Sequence, residues 1–471
     1  MIPLLTQRKN RKEASMLGQF KSGSTTSDAV QPSPPVSKVV CLAAGSIGNF
    51  LEFYNFMAYA FFAPMIGQAF FPVKGALMQL LAALITFAAG FLARPLGSLV
   101  MGFYTQRMGV GNTLMATFLM MAAGSALLVA TPDYATIGVW APVLVLISRL
   151  LHGFSEGGEV GPATEFIYSL RGERDAGAMA SAQALTQFMS QLAAVAVGLV
   201  LSVALSHEQL YAWGWRVPFV LGLVIVPFGL FFRRLALGGL DQTAAHPVMT
   251  EPSREPFPWL VVALTFCVIL TGTVTTYLRA FGASYAISVL HLSPTLGMAA
   301  MSIGLIAGLA AIVTGIHLQR SCRARPLILG VSGAYLIVIL PVYYFSVHSP
   351  GLVSLIVLNV VTNVMPGLLS AVSSELVLRS IPAAQRSFVF GVVYSITVSV
   401  FGGATQPFVT WLILMTGNAM VPGYLASIVI PVAPIALLAL SRRAAKRSAQ
   451  EVNGEAGLRS FEVPVSAFSE A

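Results

Sequence analysis

The stretch Trp140–Gly161, WAPVLVLISRLLHGFSEGGEVG, is an apolar run that carries ionisable side chains at spacings of three, four and three residues, namely Arg149, His152, Glu156 and Glu159. This spacing places all four on one face of a helix. An ionisable group inside a membrane helix is costly unless it faces a partner or a wet cavity, so we expect this face to point into the protein. Two interpretations stay open: a site for an anion and protons, or an internal ion-pair network that locks the helices together.

The composition of the chain is that of a membrane protein. Of its 471 residues, 56% are hydrophobic and 10% are charged, with a mean hydropathy of +0.79, whereas a soluble domain is about 25% charged. Apolar runs of roughly 20 residues, enough to cross a hydrocarbon core of about 30 Å, follow one another along the sequence. The sequence therefore predicts an all-α membrane protein with twelve transmembrane helices. Their expected spans are 39–69, 76–104, 111–131, 138–170, 177–206, 214–232, 257–290, 295–318, 325–346, 351–379, 387–416 and 421–441.

The longest connection between spans, 233–256, is polar, contains Pro and Gly, and separates six helices from six. A short repeat supports two corresponding halves, because GFYTQRMG at Gly102–Gly109 recurs as GIHLQRSC at Gly315–Cys322. Two pseudo-symmetric six-helix bundles with a substrate cavity between them are the layout of a secondary transporter. We expect a disordered cytoplasmic arm at 1–38, bundles at 39–232 and 257–441, a cytoplasmic linker at 233–256 and a cytoplasmic tail at 442–471.

Positive charge is distributed asymmetrically among the connecting segments. Of the 27 Lys and Arg residues, 22 fall on the side of the two termini, and only Lys74 and Arg216 fall in the opposite loops. The positive-inside rule then places both termini in the cytoplasm. The same asymmetry accounts for the net charge of +9 without a nucleic acid as partner. The three cysteines are far apart and lack ligand spacing, so we expect neither disulfides nor a metal site.

Several motifs together resemble a known family. They are GNFLEFYNF at Gly48–Phe56, ARPLGSLVMG at Ala93–Gly102, YATIGVWAPVLVLISRLLHGFSEGGEVG at Tyr134–Gly161, WGWRVPFVLG at Trp213–Gly222, FGGATQPFVTWLI at Phe401–Ile413 and TGNAMVPGY at Thr416–Tyr424. Over nearly all of residues 40–440 the chain is similar to the major facilitator superfamily, in its metabolite:proton symporter branch, which includes transporters for citrate, tricarballylate, α-ketoglutarate, shikimate and proline/betaine. The resemblance implies a transporter of the bacterial inner membrane that takes up a small organic carboxylate, citrate-like or a dicarboxylate, with protons by alternating access.

The resemblance also assigns a gate on the cytoplasmic side. In the family, loops after the second and eighth helices carry an Asp where this chain has Gln106 and Gln319. The charge pairing that closes this gate must therefore be weaker or built differently here. By the resemblance, the gating residues are Arg94, Gln106, Arg107, Gln319 and Arg320.

Three embedded acids are the candidates for proton coupling: Glu52, Glu156 and Glu159. The common first-helix Asp of the family is Asn55 here, and Glu156 is an additional acid. Glu52 shares its helix face with no cation and is flanked by phenylalanines, which favours it as the proton carrier. Glu159 shares a face with Arg149, which suits a gate more than a carrier. For Glu52, a permanent hydrogen bond to a neighbouring helix stays open as an alternative.

A further set of polar and cationic side chains is expected to contact the substrate. The guanidinium fork of arginine binds a carboxylate through two hydrogen bonds, which makes arginine the natural ligand of an organic acid. Two alternatives to substrate binding stay open. In one, Arg279 extends to the outer surface. In the other, a stripe of Gln residues on the fifth helix bonds adjacent helices. The expected substrate-binding residues are Arg149, Arg279, Asn55, Tyr59, Gln183, Gln187 and Asn363.

No enzyme motif is present, because the sequence contains neither a Walker-type G-x-x-x-x-G-K-[ST] nor H-E-x-x-H. Transport must then use an ion gradient without a cofactor, and we expect a monomer that acts on a small anion and protons. Two other functions stay open: a proton-coupled antiporter that exports a metabolite or drug, and a non-transporting nutrient sensor. Residues 177–206 lack the proline that exporters commonly carry on the fifth helix, which disfavours the antiporter, whereas the Gln residues of the loops would permit the sensor.

Overall fold

The computed structural model describes residues 38–171, 176–238, 257–381 and 385–443. Within these ranges, the side chains of 38–48, 160–171, 176–184, 225, 228–229, 232–238 and 386–388 lie outside the description. The predicted arm up to residue 37, the linker from residue 239 and the tail from residue 444 also lie outside it. All regular elements in the described ranges are helices.

The helices of the N-terminal part follow the predicted spans. They are α1 (Lys38–Phe70), α2 (Ala76–Ala130), α3 (Tyr134–Ile137), α4 (Trp140–Arg171), α5 (Ala176–Ala204), α6 (His207–Ala212) and α7 (Val217–Gly238), with a 3-10 turn at Gly214–Arg216. The 55 residues of α2 are two membrane crossings, because the helix is broken at Gly109, where φ is +84° and ψ is 161°. Only glycine adopts this backbone conformation without strain, so Gly109 supplies the reversal between the second and third spans.

The helices of the C-terminal part are α8 (Trp259–Ala280), α9 (Gly282–Ser288), α10 (Pro294–Ser321), α11 (Ala324–His348), α12 (Leu352–Ser380), α13 (Arg386–Thr397), α14 (Gly403–Thr416) and α15 (Val421–Val429), with a final helix α16 at 432–443. A π-helical turn at Val398–Gly402 joins α13 to α14, so these form one crossing. The last predicted span is interrupted between α15 and α16, at Pro431, which lacks the backbone N–H that would continue the helical ladder.

The number of crossings agrees with the expectation of twelve. Eight of the described helical segments are long and apolar enough to cross a membrane, and the broken helix α2 among them crosses twice. Helices α1, α4 and α7 add 33, 32 and 22 residues, each longer than the roughly 20 residues that a bilayer requires.

Glycines bring α2 and α4 into close contact. A Cβ atom on Gly90 would collide with the backbone of Arg149, and one on Gly153 would collide with the backbone of Gly90. A Cβ on Gly157 would likewise collide with the backbone of Arg94. Small residues allow membrane helices to approach backbone to backbone. This contact fixes the two arginines on facing surfaces of neighbouring helices.

The N-terminal and C-terminal helices contact each other at the end of the bundle that lies away from the chain termini. Ser284, at the start of α9, donates a hydrogen bond to the carbonyl of Ala60 in α1, 2.7 Å long. Thr295 of α10 donates one to the carbonyl of Ser202 in α5, 3.0 Å long. These bonds join the two parts of the chain at this end.

Candidate functional site

A buried ion pair joins Arg94 of α2 to Glu156 of α4, whose side chains are 9% and 5% exposed. The Arg94 guanidinium lies over the ring of Phe91, 4.0 Å from its centroid, and 5.0 Å from the centroid of Phe56. Glu52 of α1 completes this carboxyl cluster, since its carboxyl group hydrogen-bonds to that of Glu156. Two carboxyl groups form such a bond only when one of them is protonated. The cluster is therefore a place where a proton can be held.

Two tyrosines from the C-terminal helices face the carboxyl cluster. Tyr277 of α8 and Tyr394 of α13 both interact electrostatically with Arg94, and Tyr394 also interacts with Glu52 and Glu156. The ring of Tyr277 packs edge-on against that of Phe91, with 5.4 Å between centroids. Tyr394 was not predicted, because nothing local to α13 indicates which helix of the other half it meets.

A second polar group, the arginine–histidine chain, connects three helices around Arg149. Nη2 of Arg149 lies 3.0 Å from Nδ1 of His152, and Nε2 of His152 lies 3.0 Å from the hydroxyl of Ser125 in α2. The Ser125 hydroxyl donates to Oδ1 of Asn55 in α1 at 3.3 Å. The Asn55 amide in turn donates to the carbonyl of Leu51, 3.0 Å away.

We assign the protonation of this chain from its hydrogen-bond partners. The Arg149 guanidinium has only donors, so Nδ1 of His152 must accept from it. The remaining nitrogen, Nε2, then carries the hydrogen and donates to Ser125, whose own hydrogen goes to Asn55. Every bond in the chain has one donor and one acceptor when His152 is neutral.

The Arg149 side chain is 1% exposed, and its Nε and Nη1 atoms have no hydrogen-bond partner. Its guanidinium lies over the ring of Tyr59, 4.4 Å from the centroid. Among the described residues, no carboxylate forms an ion pair with it. A buried cation without a counter-ion is costly in free energy. The side chain is thus placed to receive an anion.

The four ionisable residues of α4 divide between two groups of contacts. Arg149 and His152 belong to the arginine–histidine chain, whereas Glu156 is committed to Arg94 of the neighbouring helix. Glu159 is 4% exposed and its charge acts on Glu52. Glu156 pairs with Arg94 because α2 packs closely against α4. The spacing of residues within α4 could not predict this partner, since it lies on another helix.

Arg279 of α8 is buried, with 5% exposure, so the alternative in which it extends to the outer surface is wrong. Its guanidinium lies over the ring of Phe188 in α5, 4.5 Å from the centroid, and its Nε has no hydrogen-bond partner. Phe188 also packs at Gly308 of α10, beside Asn363 of α12. Asn363 donates to the carbonyl of Asn359 at 2.7 Å, and its Oδ1 has no partner.

Of the other predicted substrate ligands, Tyr59 and Gln187 differ in burial. Tyr59 is buried, stacks on Phe87, and donates its hydroxyl to the carbonyl of Ala83 at 3.1 Å, so its ring face rather than its hydroxyl contacts Arg149. Gln187 is partly exposed on α5, and the side chain of Gln183 lies outside the description. Their roles in binding stay predictions.

The predicted gating residues lie at helix ends, except for Arg94. Gln106, Arg107 and Arg320 are exposed and Gln319 is partly exposed, at helix ends. Arg94 lies apart from them, in the carboxyl cluster. Among the described residues, no group of three His, Cys, Asp or Glu side chains is placed to hold a metal ion.

Comparison with known proteins agrees with this architecture. Residues 40–236 match the sugar (and other) transporter family. The citrate-proton symporter of Klebsiella pneumoniae is 30% identical over 404 residues, which cover 84% of this chain and 90% of that protein. A putative proline/betaine transporter of Staphylococcus aureus (strain MSSA476) is 28% identical over 408 residues, covering 81% of this chain and 84% of that protein.

Solved structures show the same fold. The crystal structure of a D-xylose-proton symporter has a TM-score of 0.65 at 17% identity and covers 85% of this chain and 97% of its own. A xylose transporter from E. coli in an inward-open conformation has a TM-score of 0.63 at 15% identity, with 85% and 94% covered. The chain has twelve crossings, and its match to these transporters covers most of its own length and of theirs. It therefore belongs to the major facilitator superfamily, in the branch of proton-coupled metabolite symporters, and is a multi-pass membrane transporter, not an enzyme.

Proposed function

We propose that this transporter takes up a small organic carboxylate together with protons, and that Arg149 binds the carboxylate. The observation that carries the proposal is the buried Arg149 guanidinium, whose Nε and Nη1 lack partners. A carboxylate would accept a hydrogen bond from one of these atoms and would supply the missing counter-charge. The names of the relatives support this substrate class, because citrate, proline and betaine all carry a carboxylate.

Arg279 and Asn363 would provide a second contact from the C-terminal half. Both are buried, and each has a side-chain atom without a hydrogen-bond partner. A substrate held by Arg149 on one side and Arg279 on the other would bridge the two halves. Rocking of the halves around such a bridge is how alternating access works in transporters built from repeats.

The coupling proton would reside on the bond between Glu52 and Glu156. Glu156 is held by Arg94, whereas Glu52 has no ion-pair partner among the described residues, and it keeps part of its surface accessible. Glu52 is therefore the better carrier, since it can lose its proton without breaking the ion pair. Tyr277 and Tyr394 would convey the protonation state of the cluster to the C-terminal half.

The domain boundaries, the orientation, the cellular location and the monomeric state are also proposals. The division into two bundles at the 233–256 linker rests on the repeat, and the cytoplasmic position of both termini rests on the asymmetry of Lys and Arg. A location in the bacterial inner membrane follows the family and its bacterial relatives. A monomer is sufficient for this mechanism, because one chain supplies both halves.

The test is uptake of labelled citrate, proline and betaine into proteoliposomes with an acidic exterior. We expect accumulation of a carboxylate that collapses when a protonophore is added. Arg149→Lys keeps the charge but loses the fork, so it should raise the substrate concentration for half-maximal uptake at least tenfold. Arg379→Lys, in an exposed ion pair on α12, is the matched control and should behave as wild type.

Three outcomes would contradict the proposal. Unchanged apparent affinity in Arg149→Lys would show that this side chain is not a direct ligand. Proton-driven export of substrate from loaded vesicles would favour the antiporter. Substrate binding without any flux would favour the nutrient sensor.

A further inference from the structure

His152 is a buried titratable group that the proposed function does not use. It is 2% exposed, and its Nδ1 atom has two neighbours of opposite kind. Nη2 of Arg149, a donor, lies 3.0 Å away, and the carbonyl oxygen of Ser148, an acceptor, lies 2.8 Å away. A ring nitrogen serves only one of them at a time: without a hydrogen it accepts from Arg149, and with one it donates to Ser148. Nδ1 therefore has a partner whether or not it carries a hydrogen.

The charge that controls this choice comes from Arg149. The neutral Ser125 hydroxyl and the backbone of Gly124 face His152 from α2. Asn55 of α1 reaches it through Ser125, and Tyr59 of α1 lies beneath the guanidinium. Glu156, one turn along α4, is engaged by Arg94 and Glu52. The titratable or charged groups around His152 are thus Arg149 from its own helix, Tyr59 from α1, and the carboxyl cluster of Glu52, Arg94 and Glu156 beyond it.

We propose that His152 is a second proton site of this transporter, loaded when a substrate carboxylate neutralises Arg149. While the guanidinium is unpaired, a second cation beside it is disfavoured and His152 stays neutral. A carboxylate bound to the guanidinium removes that repulsion and draws the guanidinium toward itself. A proton from water then forms an N–H bond at Nδ1, and the imidazolium donates to Ser148 through Nδ1 and to Ser125 through Nε2. The O–H bond of the hydronium ion that supplies the proton is broken, the hydrogen bond from Nη2 of Arg149 to Nδ1 is lost, and the charge of the substrate, Arg149 and His152 together rises by one.

The proposal rests on the proposed function, because it requires a carboxylate at Arg149. Its consequence is thermodynamic linkage: if the anion favours the proton, the proton favours the anion by the same factor. One proton taken up with each anion makes the affinity rise as pH falls, by as much as tenfold for each pH unit. The His152 proton would enter and leave with the substrate and would add to the proton held by the carboxyl cluster.

The experiment measures citrate binding to the purified full-length protein by calorimetry between pH 5.5 and 8, in buffers of different ionisation enthalpy to count protons. For wild type we expect affinity to rise as pH falls, with protons taken up on binding. His152→Gln should bind with a flatter pH profile and take up close to one proton fewer per citrate. Citrate's own titration is common to both proteins and cancels in the comparison. His317→Gln, at an exposed position of α10, is the matched control and should follow wild type.

Ser125→Ala provides a second variant if His152→Gln does not fold. It removes the acceptor at Nε2, to which a charged imidazole donates more strongly than a neutral one, so the rise in affinity should move to lower pH. The inference is wrong if both variants show the pH profile and the proton count of wild type. If His152→Gln does not fold, the same result in Ser125→Ala alone overturns it. The proposed function stays intact in either case. Failure of wild type to bind citrate at any pH would overturn the proposed citrate-like substrate, and the inference with it.

Discussion

Replacing Glu52 with Gln tests the proton carrier of the carboxyl cluster. The amide of glutamine imitates the protonated carboxyl, because its Nε2 can donate to Glu156 as the acid does. The ion pair between Glu156 and Arg94 stays intact, so the variant should fold and remain in the membrane. What it loses is the ability to release the proton, and hence the ability to couple that proton to the substrate.

The magnitude follows from the proposed stoichiometry of the cluster, in which the hydrogen bond between Glu52 and Glu156 holds one proton. A gradient of one pH unit supplies about 1.4 kcal/mol for each coupled proton, a factor of ten in the accumulation ratio. With the membrane potential held at zero, Glu52→Gln should therefore accumulate substrate about tenfold less than wild type per pH unit. Exchange of labelled for unlabelled substrate without a gradient should continue at a rate near that of wild type.

The assay compares both measurements in the same proteoliposome preparation, with valinomycin and equal potassium on both sides. Glu375→Gln is the matched control, because Glu375 pairs with Arg379 on α12 and lies apart from the cluster. It should accumulate substrate as wild type does. If Glu52→Gln reaches the wild-type ratio, the proton is carried elsewhere and the reasoning from the carboxyl bond is refuted.

Three other predictions concern the contact of Arg279 with substrate, the ion pair of Glu156 and the orientation of the chain in the membrane. Arg279→Lys should raise the half-saturating substrate concentration with little change in maximal rate if the fork is a direct ligand, and unchanged kinetics would remove it from the site. Glu156→Gln should destabilise the protein by about 3–5 kcal/mol, seen as a lower unfolding temperature in detergent, because it leaves Arg94 buried without its partner; a wild-type melting curve would contradict this. Single cysteines placed at Ser253 and Ser349 in a cysteine-free background should react with an impermeant reagent from opposite sides of the membrane, and outside labelling at Ser253 would overturn the proposed orientation.

The sequence by itself determined the class of the molecule, its number of crossings and its family. The length of each apolar run is set by the thickness of the bilayer, so twelve runs predict twelve helices before any contact is known. The motifs around Gly48–Phe56 and Tyr134–Gly161 indicated the family. Helical periodicity also placed Arg149 and His152 on one face of α4 and predicted that this face is buried, as observed.

Only the tertiary structure decided which charges are paired. Periodicity relates residues within one helix, and it treated Arg149 as the natural partner of the acids on α4. The glycines that let α2 approach α4 bring Arg94 to Glu156 instead, and α1 adds Glu52 to the same cluster. Pairing depends on distances between helices, which the sequence does not encode locally. It is this packing that leaves the Arg149 guanidinium buried with two unpartnered nitrogens and His152 between a donor and an acceptor.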